Sequence, residues 1–158
     1  VLNGITAVHD QMLRQGRGHV INISSIYGNY PTAGAAVYGA TKAAVIFLSE
    51  SLRMESQGRI KVTTIRPTGV PLTGLGNGII NPEAVSGLLG SNTAAYMSKF
   101  EAAEAGQLPK SMLDRNEIEY FALDPDSLSE QIVYTINQPW GVSISDITVR
   151  ASGDSYVL

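Results

Sequence analysis

Residues 19–45, HVINISSIYGNYPTAGAAVYGATKAAV, decide the fold. The stretch opens on His19 to Ser24, rich in Val and Ile and almost without charge, which reads as a strand covered on both faces of a parallel sheet. Ile26 to Ala35 holds Gly28, Pro31 and Gly34, so it reads as a loop. A long helix is expected from about Val37 to Gln57, with Val37, Ala44, Phe47, Leu48 and Leu52 as its buried stripe. Tyr38 and Lys42 stand four apart and share one helix face, and Ser25 stands thirteen residues before Tyr38 at the end of the strand.

These positions would bring a hydroxyl, a phenol and an ammonium to one spot. A phenol titrates near pH ~10, too high for acid–base work at neutral pH. An ammonium beside it favours the phenolate, and a serine hydroxyl can hydrogen-bond a carbonyl or alcohol oxygen. Such a trio suits proton transfer in the interconversion of a carbonyl and an alcohol. A Tyr-x-x-x-Lys pair alone is weak, since composition gives one in roughly one chain in five of this make-up. The serine and the strand–loop–helix setting give the pair its weight.

Outward from this stretch, Val1, Ile5, Val8 and Met12 recur at helical spacing, in a helix ending near Gly16. Ile60 to Arg66 reads as a second strand with Pro67 ending its ladder, and residues 68–80 are irregular. Pro82 to about Ala105 reads as one or two short helices. Asp124-Pro125-Asp126-Ser127 is a helix N-terminal signal, followed by the stripe Leu128, Ile132, Val133 and Ile136. Pro139 and Gly141 stop that helix, and Ile144 to Val149 reads as a third strand. Strands separated by helices indicate parallel βαβ units, so the fold class is α/β with a doubly wound parallel sheet. Ligands bind outside the carboxyl ends of such strands. Ser25 and Pro67 both fall there.

The chain has 158 residues, 44% hydrophobic and 16% charged, with a formal charge of −3 and no cysteine. The length suits one domain. No apolar run approaches the roughly 20 residues of a membrane span, and no secretory core segment is present. Disulfides and thiolate zinc sites are excluded. A mildly acidic balance without a basic cluster argues against nucleic acid as the main partner. A cytoplasmic home without membrane contact is the expectation.

Gly18-His19-Val20-Ile21-Asn22-Ile23-Ser24-Ser25, Gly28 and Tyr38-Gly39-Ala40-Thr41-Lys42-Ala43-Ala44 resemble the short-chain dehydrogenase/reductase family. Ile60-Lys61-Val62-Thr63-Thr64-Ile65-Arg66-Pro67 looks like the family's next strand. Ile147-Thr148-Val149-Arg150 is similar to the last strand of the bacterial branch acting on small hydroxy acids and related alcohols. The resemblance implies a Rossmann-like fold, a nicotinamide cofactor with NADP(H) favoured over NAD(H), and a small-molecule alcohol or carbonyl substrate. It implies Tyr38 as general acid/base, Lys42 favouring the phenolate and binding the nicotinamide ribose, and Ser25 positioning the substrate oxygen. Pro67, Gly69, Val70 and Thr73 join Tyr38 and Lys42 as the implied cofactor-binding set. Thr68 stands where the family has glycine, Gly69 comes one place late, and the family's threonine is displaced to Thr73. Either the loop is rearranged or cofactor binding is weakened. Residues 72–120 fall where the family places its substrate loop, a surface insertion being the other reading.

The family's N-terminal strands and Gly-rich turn are missing from this sequence, so residues 1–158 read as the C-terminal portion of one dinucleotide-binding domain. The family's catalytic asparagine would precede residue 1, and Asn3 does not take its place. A homodimer or homotetramer is implied. The alternative is a non-catalytic truncated remnant or an interaction protein on the same scaffold.

Gly39, Ala40, Ala43 and Ala44 fit either close helix packing or room for a nicotinamide ring. Asn22 fits a capping amide or a catalytic part. His9 and His19 lie too far from other ligands for a metal site and read as structural or surface residues. Glu50, Arg53, Glu55 and Arg59 read as a solvated face, and Trp140 as core or a subunit contact.

Overall fold

The computed structural model describes residues 1–71 and 73–157; Leu72, the first position of the expected substrate-loop region, and Leu158 lie outside the described residues. Helix α1 (Leu2–Gln15) leads to strand β1 (Gly18–Ile23), and helix α2 (Ala36–Glu55) to strand β2 (Ile60–Pro67). Four helices follow, α3 (Glu83–Leu89), α4 (Thr93–Glu104), α5 (Lys110–Leu113) and α6 (Pro125–Ile136), and then strand β3 (Asp146–Val149). The strands form one parallel sheet in the order β1-β2-β3, with Val20 opposite Val62 and Ile65 opposite Ile147.

Side chains alternate across a strand, so the register separates two faces. On one, Val20 and Val62 meet Ile5, Met12 and Leu13 of α1 and Leu52 of α2. On the other, Lys61 is buried, and its ammonium donates to the carbonyls of Gln138 (3.2 Å), Pro139 (3.4 Å) and Val142 (3.0 Å) beyond the end of α6. A buried cation is tolerated where it is hydrogen-bonded, and the carboxyl end of a helix carries partial negative charge. Helices therefore flank both faces, as a doubly wound arrangement requires.

Several boundaries follow from local chemistry. α1 stops at Gly16, whose φ of 68° places it in the left-handed region that glycine enters without strain. α6 starts at Asp124, whose carboxylate accepts from the Ser127 amide at 2.6 Å.

The expected stripe of α2 is corrected. Val37 is 81% exposed, Phe47 75%, and Ala44 is exposed too. Leu52 is buried and Leu48 half-buried as expected, with Ser49 buried beside them and Val45 and Ile46 half-buried. The helix is apolar on two sides, and hydrophobicity cannot say which side meets the sheet. In α6, Leu128 and Ile132 are half-buried as expected, whereas Val133 and Ile136 are exposed and Thr135 is buried in their place. Trp140 is no core residue. It is 55% exposed, with Arg17 and Lys61 at 5.8 and 5.2 Å from its ring. Among the described residues no helix is long and apolar enough to cross a membrane.

Candidate active site

The site grows from the carboxyl end of β1. Ser24 N–H donates to the Ile65 carbonyl at 2.8 Å, extending the ladder one residue and fixing where the chain leaves the sheet. Ser24 Oγ donates to the Lys42 carbonyl (2.8 Å), and Lys42 Nζ donates to the Ile23 carbonyl (3.2 Å), so strand end and helix hold each other. Ser25 caps the 3₁₀ turn Ile26–Gly28, its hydroxyl accepting from the Tyr27 N–H at 3.3 Å. Gly28 lets that turn lie directly on α2, since a Cβ there would stand 2.8 Å from the Lys42 carbonyl carbon. Asn22 reaches α2 as well, donating to Ser49 Oγ at 2.9 Å, a structural tie. His19 is structural too. Its Nε2 lies 2.7 Å from Thr63 Oγ1, and burial first, then the Lys61 charge, lowers its pKa.

Ser25 and Tyr38 line one cleft of about 1130 Å³. Gly69, Val70 and Thr73 line it as well. Lys42 and Pro67 do not. The Lys42 ammonium lies behind Tyr38, 5.6 Å from its ring centroid, and burial lowers its pKa. Pro67 ends β2 opposite Val149. Arg66 pins the same rim, donating from Nη1 to Asn29 Oδ1 (2.7 Å) and from Nε to Asp146 Oδ1 (3.1 Å).

Four tyrosines share the cleft, and only Tyr38 stood out in the sequence. The Tyr27 ring packs edge-on against Tyr38 at 5.4 Å between centroids, and its hydroxyl donates to the Ala84 carbonyl at 2.9 Å. Burial, then Tyr38 and Tyr96, push the Tyr27 pKa up to about 12. Tyr156 comes from the C-terminal segment, its hydroxyl 3.4 Å from that of Tyr96, and burial pushes its pKa up. Both tyrosines therefore keep their protons at neutral pH. Tyr156 is brought in because Arg150 binds Asp154 (2.9 Å) and the Tyr156 carbonyl (2.9 Å), while Asn92 donates to the Ser155 carbonyl (2.9 Å). The four-residue spacing of Arg150 and Asp154 was the only local sign of this fold-back.

Thr68, 8% exposed, lines the cleft, and its hydroxyl is buried without a hydrogen-bond partner among the described residues. The buried backbone is better served, with Thr68 N–H donating to the Val149 carbonyl at 3.0 Å.

A serine at a strand end and a tyrosine thus line one cleft, with a lysine one turn on lying against the tyrosine ring. A family profile described as short chain dehydrogenase matches residues 1–84. The chain belongs to this family. An uncharacterised oxidoreductase of Listeria innocua is 32% identical over 94% of the chain and 50% of its own length. One of Staphylococcus saprophyticus is 33% identical over 98% and 53%. The chain thus spans about half the length of the curated relatives it matches. Among solved structures, serine dehydrogenase from Escherichia coli matches with a TM-score of 0.58 and 27% identity, over 92% of this chain and 45% of that one. A closed form of serine dehydrogenase complexed with NADP+ gives 0.61 and 29%, over 92% and 48%. An alcohol dehydrogenase from Thermococcus sibiricus complexed with 5-hydroxy-NADP gives 0.62 at 18% identity, over 94% and 48%, a likeness of fold alone. The expected α/β Rossmann-like class holds for this member of the family.

Proposed function

We propose that the protein containing this chain is a nicotinamide-dependent oxidoreductase that interconverts an alcohol and a carbonyl, with Tyr38 as its general acid/base. The observation that carries this reading is the cleft shared by Ser25 and Tyr38 at the carboxyl rim of the sheet. The Tyr38 hydroxyl has no hydrogen-bond partner among the described residues, and the Ser25 hydroxyl accepts one bond and has its proton to give. Ser25 donates to the substrate oxygen and holds it, and Tyr38 gives that oxygen a proton during reduction or takes it during oxidation. Lys42, fixed behind the ring, favours the charge Tyr38 carries once its proton has left. Its ammonium faces the Ile23 carbonyl, so contact with a ribose requires a change of rotamer.

The cofactor supplies or accepts the hydride when bound. The nicotinamide end fits the residues present. Thr68, Gly69 and Val70 line the cleft and would meet a carboxamide there, the Thr68 hydroxyl only by turning out of its buried position. The phosphates find no Lys, Arg or His among the described residues lining it. NADP(H) is favoured over NAD(H) by the similar serine dehydrogenase solved with NADP+. Residues between Thr73 and Glu104, Ile79, Tyr96 and Phe100 among them, wall the cleft and act as its substrate loop. A second copy of the chain would cover the exposed Val37 and Phe47 of α2.

Tyr38→Phe in the full natural protein tests the reading. It removes the transferable proton and keeps the ring. Turnover should fall ~10²–10⁴-fold with cofactor affinity nearly unchanged. A variant keeping more than about a third of kcat would remove Tyr38 from this role.

A further inference from the structure

The cleft is walled differently at its two ends. At the Ser25–Tyr38 end, hydroxyls have hydrogen-bonding capacity left. Elsewhere most of the polar lining is committed, the exposed Asn77 and the buried Thr68 hydroxyl excepted. Tyr27 donates to the Ala84 carbonyl (2.9 Å), Thr41 to the Tyr38 carbonyl (2.7 Å) and Thr73 to the Val70 carbonyl (2.8 Å). Asn81 uses both ends of its amide, donating to the Gly34 carbonyl (3.1 Å) and accepting from the Glu83 N–H (3.1 Å). Tyr96 and Tyr156 face each other. The far wall is apolar, built by Val85 and Leu88 of α3, Met97 and Phe100 of α4, and Ile79 and Ile80 of the preceding loop. Ile80 is 98% exposed and Met97 43%, so the apolar wall continues out to the mouth. Apart from tyrosine, the only ionisable side chain among the described lining residues is Glu104.

A carboxylate entering such a cleft loses its water and finds no cation, only a like charge. An apolar body loses nothing and covers a wall that otherwise faces water. The volume, about 1130 Å³, exceeds the usual range for a small-molecule site, leaving room for a bulky group beside a nicotinamide ring.

We infer that the substrate is a bulky carbonyl compound or alcohol whose body is uncharged and largely apolar, and that the site disfavours the small hydroxy acids to which the last strand's resemblance points. This rests on the proposed oxidoreductase reading. In the reducing direction the carbonyl carbon gains a hydride from the reduced nicotinamide, which is oxidised, and the carbonyl oxygen gains the Tyr38 proton. On the far side the Tyr96–Tyr156 hydroxyl pair is a neutral polar spot, suited to an ester, ether or hydroxyl group.

The test uses the full natural protein with NADPH and two probes sharing one ketone and one ring, methyl benzoylformate and benzoylformate. The ester should have a kcat/KM at least tenfold above that of the acid. Binding of each probe, read by saturation-transfer NMR with NADP+ present, should show the same order. Met97→Arg places a guanidinium on the exposed part of the wall and should narrow the gap at least tenfold. Glu104→Gln, on the surface of α4, should improve use of the acid about two- to threefold. Equal or preferred turnover of the acid overturns the inference and leaves the oxidoreductase reading standing. If neither probe is reduced but the ester alone binds, the cleft's preference for an uncharged, apolar body stands and the oxidoreductase reading falls. Binding of neither overturns the inference.

Discussion

The Tyr156 hydroxyl lies against Gly69 so closely that a Cβ built on the glycine would stand 2.2 Å from it. The C-terminal segment thus closes over the loop that follows β2, and only a residue without a side chain permits it. Gly69→Ala should push the Tyr156 ring away, loosen residues 150–157 and cost about 1–3 kcal/mol, the usual range for overpacking. Urea denaturation and limited proteolysis of the tail would read this. Adding Tyr156→Phe should recover part of the loss. No recovery would mean that the hydroxyl is not what the new methyl meets.

Gly28 is a second close approach, and here the neighbour cannot yield. A Cβ would stand 2.8 Å from the Lys42 carbonyl carbon and 3.0 Å from the Ala43 nitrogen, both backbone atoms of α2. Gly28→Ala should therefore lift the 3₁₀ turn off the helix, cost about 1–3 kcal/mol, and shift Ser25 relative to Tyr38. Stability and kcat should fall together. A variant with unchanged kcat would show that the turn does not set the position of Ser25.

Local pattern made much of this legible. The strands, the glycine stop at Gly16, the Asp124 cap and the Ser25–Tyr38–Lys42 spacing each depend on neighbours within one or two turns of chain. The inward face of α2 was legible only in part: Leu48 and Leu52 turn in as expected, but Phe47 is as apolar as Leu52 and only the sheet decides between them. The tyrosine walls were hidden for another reason. Tyr96 and Tyr156 meet across sixty residues through a tail folded by Arg150 and Asp154, and no periodicity marks such a contact. Lys42 lies beside the Tyr38 ring, as four-residue spacing implies, yet its ammonium turns to the Ile23 carbonyl rather than into the cleft, a rotamer choice that spacing does not contain.

Thr68 carries a buried hydroxyl without a partner among the described residues. Leaving a buried polar group unsatisfied costs about 1–3 kcal/mol, while replacing it by a group of the same shape removes that cost. Thr68→Val should therefore raise stability by about 1 kcal/mol, a rise in Tm of roughly 2–4 °C for a domain of this size. The same change should weaken nicotinamide binding if the hydroxyl turns to the carboxamide. A fall in stability of the ligand-free protein would show instead that the hydroxyl is satisfied.

Acid stability should report the start of α6. The Asp124 carboxylate accepts from the Ser127 amide (2.6 Å), from the Tyr120 hydroxyl (2.7 Å) and from the Ser127 hydroxyl (2.8 Å). These bonds, the Ser127 amide first, hold its pKa down to about 2 from the usual 3.8. The folded state thus binds the proton less readily than the unfolded chain, so the contribution is complete above pH 3.8 and is lost as pH falls from 3.8 to about 2. Asp124→Ala should cost about 0.5–2 kcal/mol at neutral pH, the usual value of an N-cap, and the difference from the parent should shrink across that window. Asp124→Asn keeps a capping oxygen but cannot titrate. It should stay within about 1 kcal/mol of the parent at pH 7 and show a flatter acid limb. Urea midpoints at pH 7, 4, 3 and 2 would measure both. Parallel acid limbs for parent and Asp124→Asn would show that other carboxylates govern the transition.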